Sequence, residues 1–352
     1  CPLCPLPWRE TYLAALRGPL LSRWMMAPAD GCSVIGKLRM ISAYPEFWHV
    51  VQLAVAISGV ALWFTWAPVL ADASMTLLCD GITAVVEQAQ RCVKVQQTFK
   101  DCPECPEMVV IAAGVFLMGS PDSETERTAS EGPLHKVAIA KPLAVGKYEV
   151  TFAEWDACVA DGGCGHKPRD SGWGRGRRPV INISWDDATK EYIPWLSKKS
   201  GQVYRLLTEA EWEYCARAGS VGPFSTGATI SPNVANFDGT STYGGGKKGS
   251  YRQRTVEVGS FPANALGLHD MHGNVWEWVQ DCYAGTYHGA PPDGRSVADA
   301  PDCPRVMRGG SWIDAPRVLR SAYRSLAPSN TRFIYRGFRV ARTLQQDADE
   351  RP

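Results

Sequence analysis

The stretch Gly267-Leu268-His269-Asp270-Met271-His272-Gly273-Asn274-Val275-Trp276-Glu277-Trp278 reads as a structured loop, not a helix. Glycines at 267 and 273 bracket it, and glycine allows turns that other residues resist. His269 and His272 stand three apart beside Asp270. On a helical face that spacing would suit a transition metal. In a loop the two histidines read first as surface or hydrogen-bonding side chains. Trp276 and Trp278 add rigid amphipathic rings. The rest of the chain has the same texture: 352 residues contain 13 Trp, 12 Tyr, 33 Gly and 25 Pro. That usage describes long aromatic loops on a globular frame, since 45% of residues are hydrophobic and 21% charged. Lys plus Arg (37) nearly cancels Asp plus Glu (36), leaving a formal charge of +1. A broad electrostatic hold on nucleic acid is therefore not expected.

Upstream of the stretch, short strands and capped helices can be placed. Met108–Gly119 reads as two strands around a glycine turn, followed by a second strand pair at Lys136–Ala140 and Leu143–Val150. Thr151 with Glu154 begins a helix, Ser184 caps a second with Asp186, Asp187 and Ala188 in its first turns, and Thr208 with Glu211 begins a third. The first should run through Val159 and the second to Lys199. From Gly219 onward the chain reads as loop with short strands at Val256–Val258, Arg305–Arg308 and Gly337–Ala341. Residues 74–107 read as a Cys-containing linker with a helical pattern (Leu77, Leu78, Ile82, Val85, Val86, Ala89). This order implies an α+β, loop-rich fold in a domain over 108–344, with a short tail at 345–352.

The N-terminal fifth carries an export signature. Residues 1–39 read as a leader that is not native, and 40–73 as a signal peptide or a membrane anchor. Trp48–Ala71 holds no Asp, Glu, Lys or Arg and runs into Ala71-Asp72-Ala73, a small-x-small cleavage pattern. Uncleaved, residues 48–71 are long enough to span a bilayer. Either case implies an oxidising compartment: periplasmic or secreted, or anchored facing that side. The cysteines agree. Nine lie beyond Ala73, and setting aside Cys215, which reads as a lone buried thiol, leaves an even eight. Cys158–Cys164 would close a glycine-rich loop and Cys282–Cys303 a long Pro/Gly/Asp-rich one. Cys102 and Cys105 suit a disulfide or redox pair better than zinc, because no second ligand pair follows at zinc-site spacing.

Several separate segments together resemble one family. They include Gly114-Val115-Phe116-Leu117-Met118-Gly119-Ser120, Val145-Gly146-Lys147-Tyr148-Glu149-Val150-Thr151, Tyr204-Arg205-Leu206-Leu207-Thr208-Glu209-Ala210-Glu211-Trp212-Glu213, the stretch quoted first, Arg308-Gly309-Gly310-Ser311-Trp312 and Gly337-Phe338-Arg339-Val340-Ala341. In this order they are similar to the formylglycine-generating enzyme, or sulfatase-modifying factor, family. The resemblance implies a C-type-lectin-like fold. It also implies several activities, because members include copper-dependent formylglycine-forming oxidases, iron enzymes, periplasmic siderophore-maturing proteins and diversified ligand binders.

The residues discriminate among these. In the oxidases two cysteines after the Gly-Gly-Ser-aromatic turn bind Cu(I) as thiolates. The matching positions here are Asp314 and Leu319, although Ser311 matches a family active-site position. Copper is therefore not expected. The histidines of the domain (His135, His166, His269, His272, His288) supply the iron branch no better. A structural Ca2+ is expected by resemblance at Asp270, Glu277 and the carbonyls of Gly273 and Val275, with hydrogen bonding to loop backbone as the alternative role. A second calcium site at Asn236 lacks its acidic partner. The resemblance also places ligand-contacting positions at Trp312, Ile313, Asp314, Ala315, Val318, Tyr323, Ser325, Phe333 and Tyr335, with Trp276 and Trp278 beside them. The arginines of this segment read mainly as partners of carboxylates. Together these features point to a binding module for a ligand, peptide or protein. The alternative is an oxidoreductase of the family, a formylglycine-forming oxidase or a siderophore or small-molecule maturation enzyme, using another site.

Overall fold

The computed structural model describes residues 81–297, 300 and 302–344. The expected leader, the 48–71 span, its cleavage site and the 345–352 tail lie outside these residues. Among the described residues no helix is long and apolar enough to cross a membrane.

The chain opens with a hairpin, β1 (Ile82–Val86) and β2 (Ala89–Val93), followed by β3 (Thr98–Phe99). This corrects the helical reading of the linker. Ile82, Val85, Val86 and Ala89 fit helical spacing, but Glu87 and Gln88 both take positive φ (49° and 62°), making a two-residue turn between paired strands. Ala84 and Val86 then point inward while Val85 faces out, the period-two pattern of a strand.

Next come β4 (Met108–Ile111), β5 (Gly114–Met118), β6 (His135–Ile139) and β7 (Leu143–Gly146). They form where expected but pair differently. β5 joins β6, and β4 joins β7, because the short links at 112–113 and 140–142 pass the chain from one sheet to the other. Helix α1 (Phe152–Ala160) follows, then α2 (Trp185–Asp187), a widened turn over Ala188–Tyr192, and α3 (Ile193–Ser200). Pro194 has no N–H for a regular helical bond, which accounts for the irregularity in the single helix expected there. β8 (Arg205–Leu206) leads into α4 (Glu209–Arg217). Both expected capping boxes are present, and Ser184 forms a third with Asp187. At the start of α4, Thr208 Oγ1 accepts from Glu211 N (3.1 Å) and Glu211 Oε2 accepts from Thr208 N (2.9 Å).

The C-terminal half contributes β9 (Trp276–Cys282), β10 (Arg305–Arg308), β11 (Ser325–Ala327), β12 (Arg336–Phe338) and β13 (Val340–Thr343). No strand forms at Val256–Val258, where Val256 N donates to the Asn274 side chain and Val258 N to Arg177 O. The expected strand Gly337–Ala341 is divided at Arg339: β12 belongs to the sheet β11-β10-β9-β12, and β13 to the sheet β3-β4-β7-β13-β8.

The five-stranded sheet separates two cores. Met108, Val110, Ala144 and Val340 face one, with Trp155, Tyr192 and Phe338. Val109, Ile111, Val145 and Ala341 face the other, with Trp212 and Val279. A strand covered on both faces reads as a continuous apolar run, as Met108–Ile111 does. Disulfides join Cys102–Cys105, Cys158–Cys164 and Cys282–Cys303, and Cys92 is also disulfide-bonded. Cys215 is a free, buried thiol, as read.

Candidate functional site

β10 ends in a turn that two glycines make possible. Gly309 and Gly310 take φ of 94° and 70°, and a Cβ on Gly310 would lie 2.7 Å from the Leu319 side chain. The turn delivers Ser311 and Asp314 to one spot. Ser311 Oγ donates to Asp314 Oδ2 (2.5 Å), and Trp276 Nε1, from the start of β9, donates to the same oxygen (2.8 Å). The Ser311 backbone also hydrogen-bonds this carboxyl. Burial pushes the Asp314 carboxyl above its ordinary range, and the Ser311 bond opposes that shift.

Aromatic rings surround this carboxylate. Trp312 meets Trp173 edge-on (5.3 Å) and stacks on Tyr251 (6.4 Å), while Trp276 leans against Tyr323 (6.1 Å). Trp312 Nε1 donates to Ile334 O, and Trp276 N to Tyr335 O, so residues 333–335 border the same region. Ile313 and Phe333 are exposed, and Asp314, Ala315, Tyr323, Ser325 and Tyr335 half-buried. Val318 and Trp278 instead pack into the core, with Trp278 Nε1 donating to Ile183 O. Leu319, at the second thiolate position, is fully enclosed. Trp173 and Tyr251 were not singled out from sequence. They come from distant loops, and only folding brings them to Trp312.

The expected calcium region is a buried acidic cluster. Glu277 on β9 takes two bonds from Arg339 (2.7 and 2.6 Å) and one from Trp212 Nε1 (2.8 Å). Asp270, at φ 58°, accepts from Gly259 N (2.8 Å). Glu149, which sequence reading did not select, accepts from Asn274 Nδ2 (3.1 Å), and its Oε1 is enclosed with no partner. Asn236 Oδ1 is likewise enclosed and unpartnered, while its amide donates to Asn274 Oδ1 and Arg254 O. Three carboxylates thus interact with one guanidinium. Burial and mutual repulsion push Glu149 well above its usual range and Asp270 to about 6. A surplus of buried negative charge with an orphaned carboxylate oxygen suits a hard divalent cation. Glu277 is the exception, since Arg339 and Trp212 already occupy its oxygens. No three His, Cys, Asp or Glu side chains among the described residues gather as a metal site on their own.

The two histidines make hydrogen bonds instead. His272 is buried, with Nδ1 2.8 Å from Leu319 O and Nε2 accepting from Ser225 N (3.0 Å). Desolvation lowers its pKa to about 4. His269 Nδ1 lies 2.8 Å from Phe261 O.

Residues 94–344 match the model of the sulfatase-modifying factor enzyme 1-like domain. The chain belongs to this family. Its fold is accordingly the family's C-type-lectin-like fold, of mixed sheets and few helices. The formylglycine-generating enzyme of Streptomyces coelicolor is 33% identical over 203 residues, 54% of this chain and 60% of that enzyme. The serine/threonine-protein kinase Pkn1 of Chlamydia trachomatis is 30% identical over 71% of this chain and 40% of its own length. The chain therefore spans about half the length of these relatives. Among solved structures, that of PvdO from Pseudomonas aeruginosa is 42% identical with a TM-score of 0.63, covering 72% of this chain and all of PvdO.

Proposed function

We propose that this domain binds a small organic ligand over the aromatic region around Asp314, in an oxidising compartment. The observation that carries the reading is the state of Asp314. It stands where the resemblance places a copper thiolate, is anchored through Oδ2 by Ser311 and Trp276, and is only half-buried. A positioned acceptor flanked by rings is what a binding site for a partly apolar molecule needs. The second thiolate position, Leu319, cannot ligate copper. The disulfides support a periplasmic or secreted location, either free or held by an apolar anchor at 48–71. Calcium, as a structural ion, would be held by Asp270 and Glu149 with the Gly273 and Val275 carbonyls, and would balance the buried acidic surplus.

A second reading has its own observation. The raised Asp314 carboxyl, hydrogen-bonded to a serine hydroxyl, could exchange a proton with a bound substrate, the acid–base part of an oxidoreductase reaction on a small molecule whose electrons would pass to a separate redox partner. Metal analysis of protein purified from an oxidising compartment tests the binding reading. About one calcium with neither copper nor iron fits the binding reading. Stoichiometric copper or iron would overturn it.

A further inference from the structure

Arg308, Arg320, Arg324, Arg339 and Arg342 are almost wholly enclosed, and each meets a carboxylate at 2.9 Å or closer. Arg336, at the start of β12, is also buried, at 7% exposure, but meets no carboxylate among the described residues. One guanidinium nitrogen donates to Thr331 Oγ1 (2.6 Å), and Nε is enclosed with no acceptor. Its other neighbours are aromatic side chains, Phe333 at 4.4 Å, Trp278 at 5.3 Å and Tyr335 at 5.7 Å from the guanidinium carbon, and Tyr335 also acts on it through a side-chain hydrogen bond. Rings attract a cation but do not neutralise it, and an enclosed charge without a counter-charge is costly. Desolvation accordingly draws its pKa down, whereas Arg308, Arg320, Arg324 and Arg339 are drawn up beside their acids.

The surroundings specify what would complete the site. A guanidinium offers a planar fork that suits a carboxylate. Phe333 is 43% exposed and stacks on Tyr335 (5.3 Å, 20°), giving a flat apolar face beside the charge. β12 runs alongside β9 with Arg336 opposite Trp276, the residue that anchors Asp314.

We propose that Arg336 holds the carboxylate of a flat, apolar small-molecule ligand that lies against Phe333 and Tyr335. Placing that ligand also at Asp314 rests on the function proposed above; the carboxylate site itself does not. A purely structural cation in an aromatic cage would bind no anion, so the two accounts differ in a measurable way.

The probes are phenylacetate and its neutral isostere phenylacetamide, titrated into the whole protein at fixed ionic strength and followed by tryptophan fluorescence. The expected result is saturable binding of the acid at least tenfold tighter than the amide. Arg336→Gln should abolish that preference, and Arg336→Lys should keep part of it. Equal affinity for the two compounds, or no saturable binding of either in the wild type, overturns the proposal even if Arg336→Gln fails to fold. Asp314→Asn separates the readings. Preference lost in Arg336→Gln and binding unchanged in Asp314→Asn would keep the carboxylate site and remove the Asp314 region as its partner.

Discussion

Replacing Asp314 by Ala and by Asn should cost very different amounts of stability. The Ala variant leaves Ser311 Oγ–H and Trp276 Nε1–H without their acceptor, and these residues are 0% and 6% exposed. An unsatisfied buried donor costs about 1–3 kcal/mol; because the serine hydroxyl can rotate, a total of about 2–4 kcal/mol is expected. For a domain of this size that lowers Tm by roughly 4–12 °C. Asn keeps a carbonyl oxygen with two lone pairs, so both donors retain an acceptor and the cost should stay within about 1 kcal/mol. The pH dependence has a definite sign. Burial raises the folded-state pKa of Asp314, so the folded chain holds its proton more tightly than the unfolded chain. Wild-type stability at this residue therefore falls as pH rises from the ordinary carboxylate range through the raised pKa, and Asn removes that fall. Asp314→Asn should become relatively more stable toward neutral pH. Guanidinium unfolding followed by tryptophan fluorescence at two pH values measures all three proteins. An Asn variant as unstable as the Ala variant would refute the hydrogen-bond argument.

Other outcomes follow from the buried charges. Arg339→Met should cost about 3–5 kcal/mol, because it strands Glu277 and unlinks the two sheets that Arg339 joins through Glu277 on β9 and Gly146 O on β7; chemical denaturation checks this. Calcium should raise Tm and EDTA reverse the change. At pH 6 its binding should release protons, since Asp270 titrates near that value and must ionise to ligate; calorimetry in buffers of different ionisation heat reads the release. Asp281 is raised to about 7 by burial and by Glu209, so its contribution to stability should decline from pH 5 to pH 8, an effect that disappears in Asp281→Asn. Cys215 should resist a thiol reagent in the native state and react once on unfolding, because it is enclosed and burial raises its pKa.

Much of the domain was legible residue by residue. The two expected capping boxes are local, since a side chain and a backbone N–H three residues apart meet whenever a helix starts there. The short-range disulfides and the turn at Gly309-Gly310 are local as well. That no thiol follows the glycine turn could be read directly at residues such as Asp314 and Leu319. The hairpin at 82–93 could not, because its apolar residues fit both periods and only pairing with β2 decides between them. Nor could strand pairing: β4 and β5 adjoin in sequence yet lie in different sheets.

Within the candidate site, sequence alone determined which residues follow the glycine turn and that they cannot bind copper as thiolates. Tertiary structure decided what those residues do. It turned Val318 and Trp278 into core and brought Trp173 and Tyr251 to Trp312. It gave Arg320, Arg324, Arg332 and Arg339 their carboxylates and left Arg336 among rings. Charge pairing and burial depend on distance in space, and in a loop-rich fold stapled by disulfides that distance is set by residues far apart along the chain.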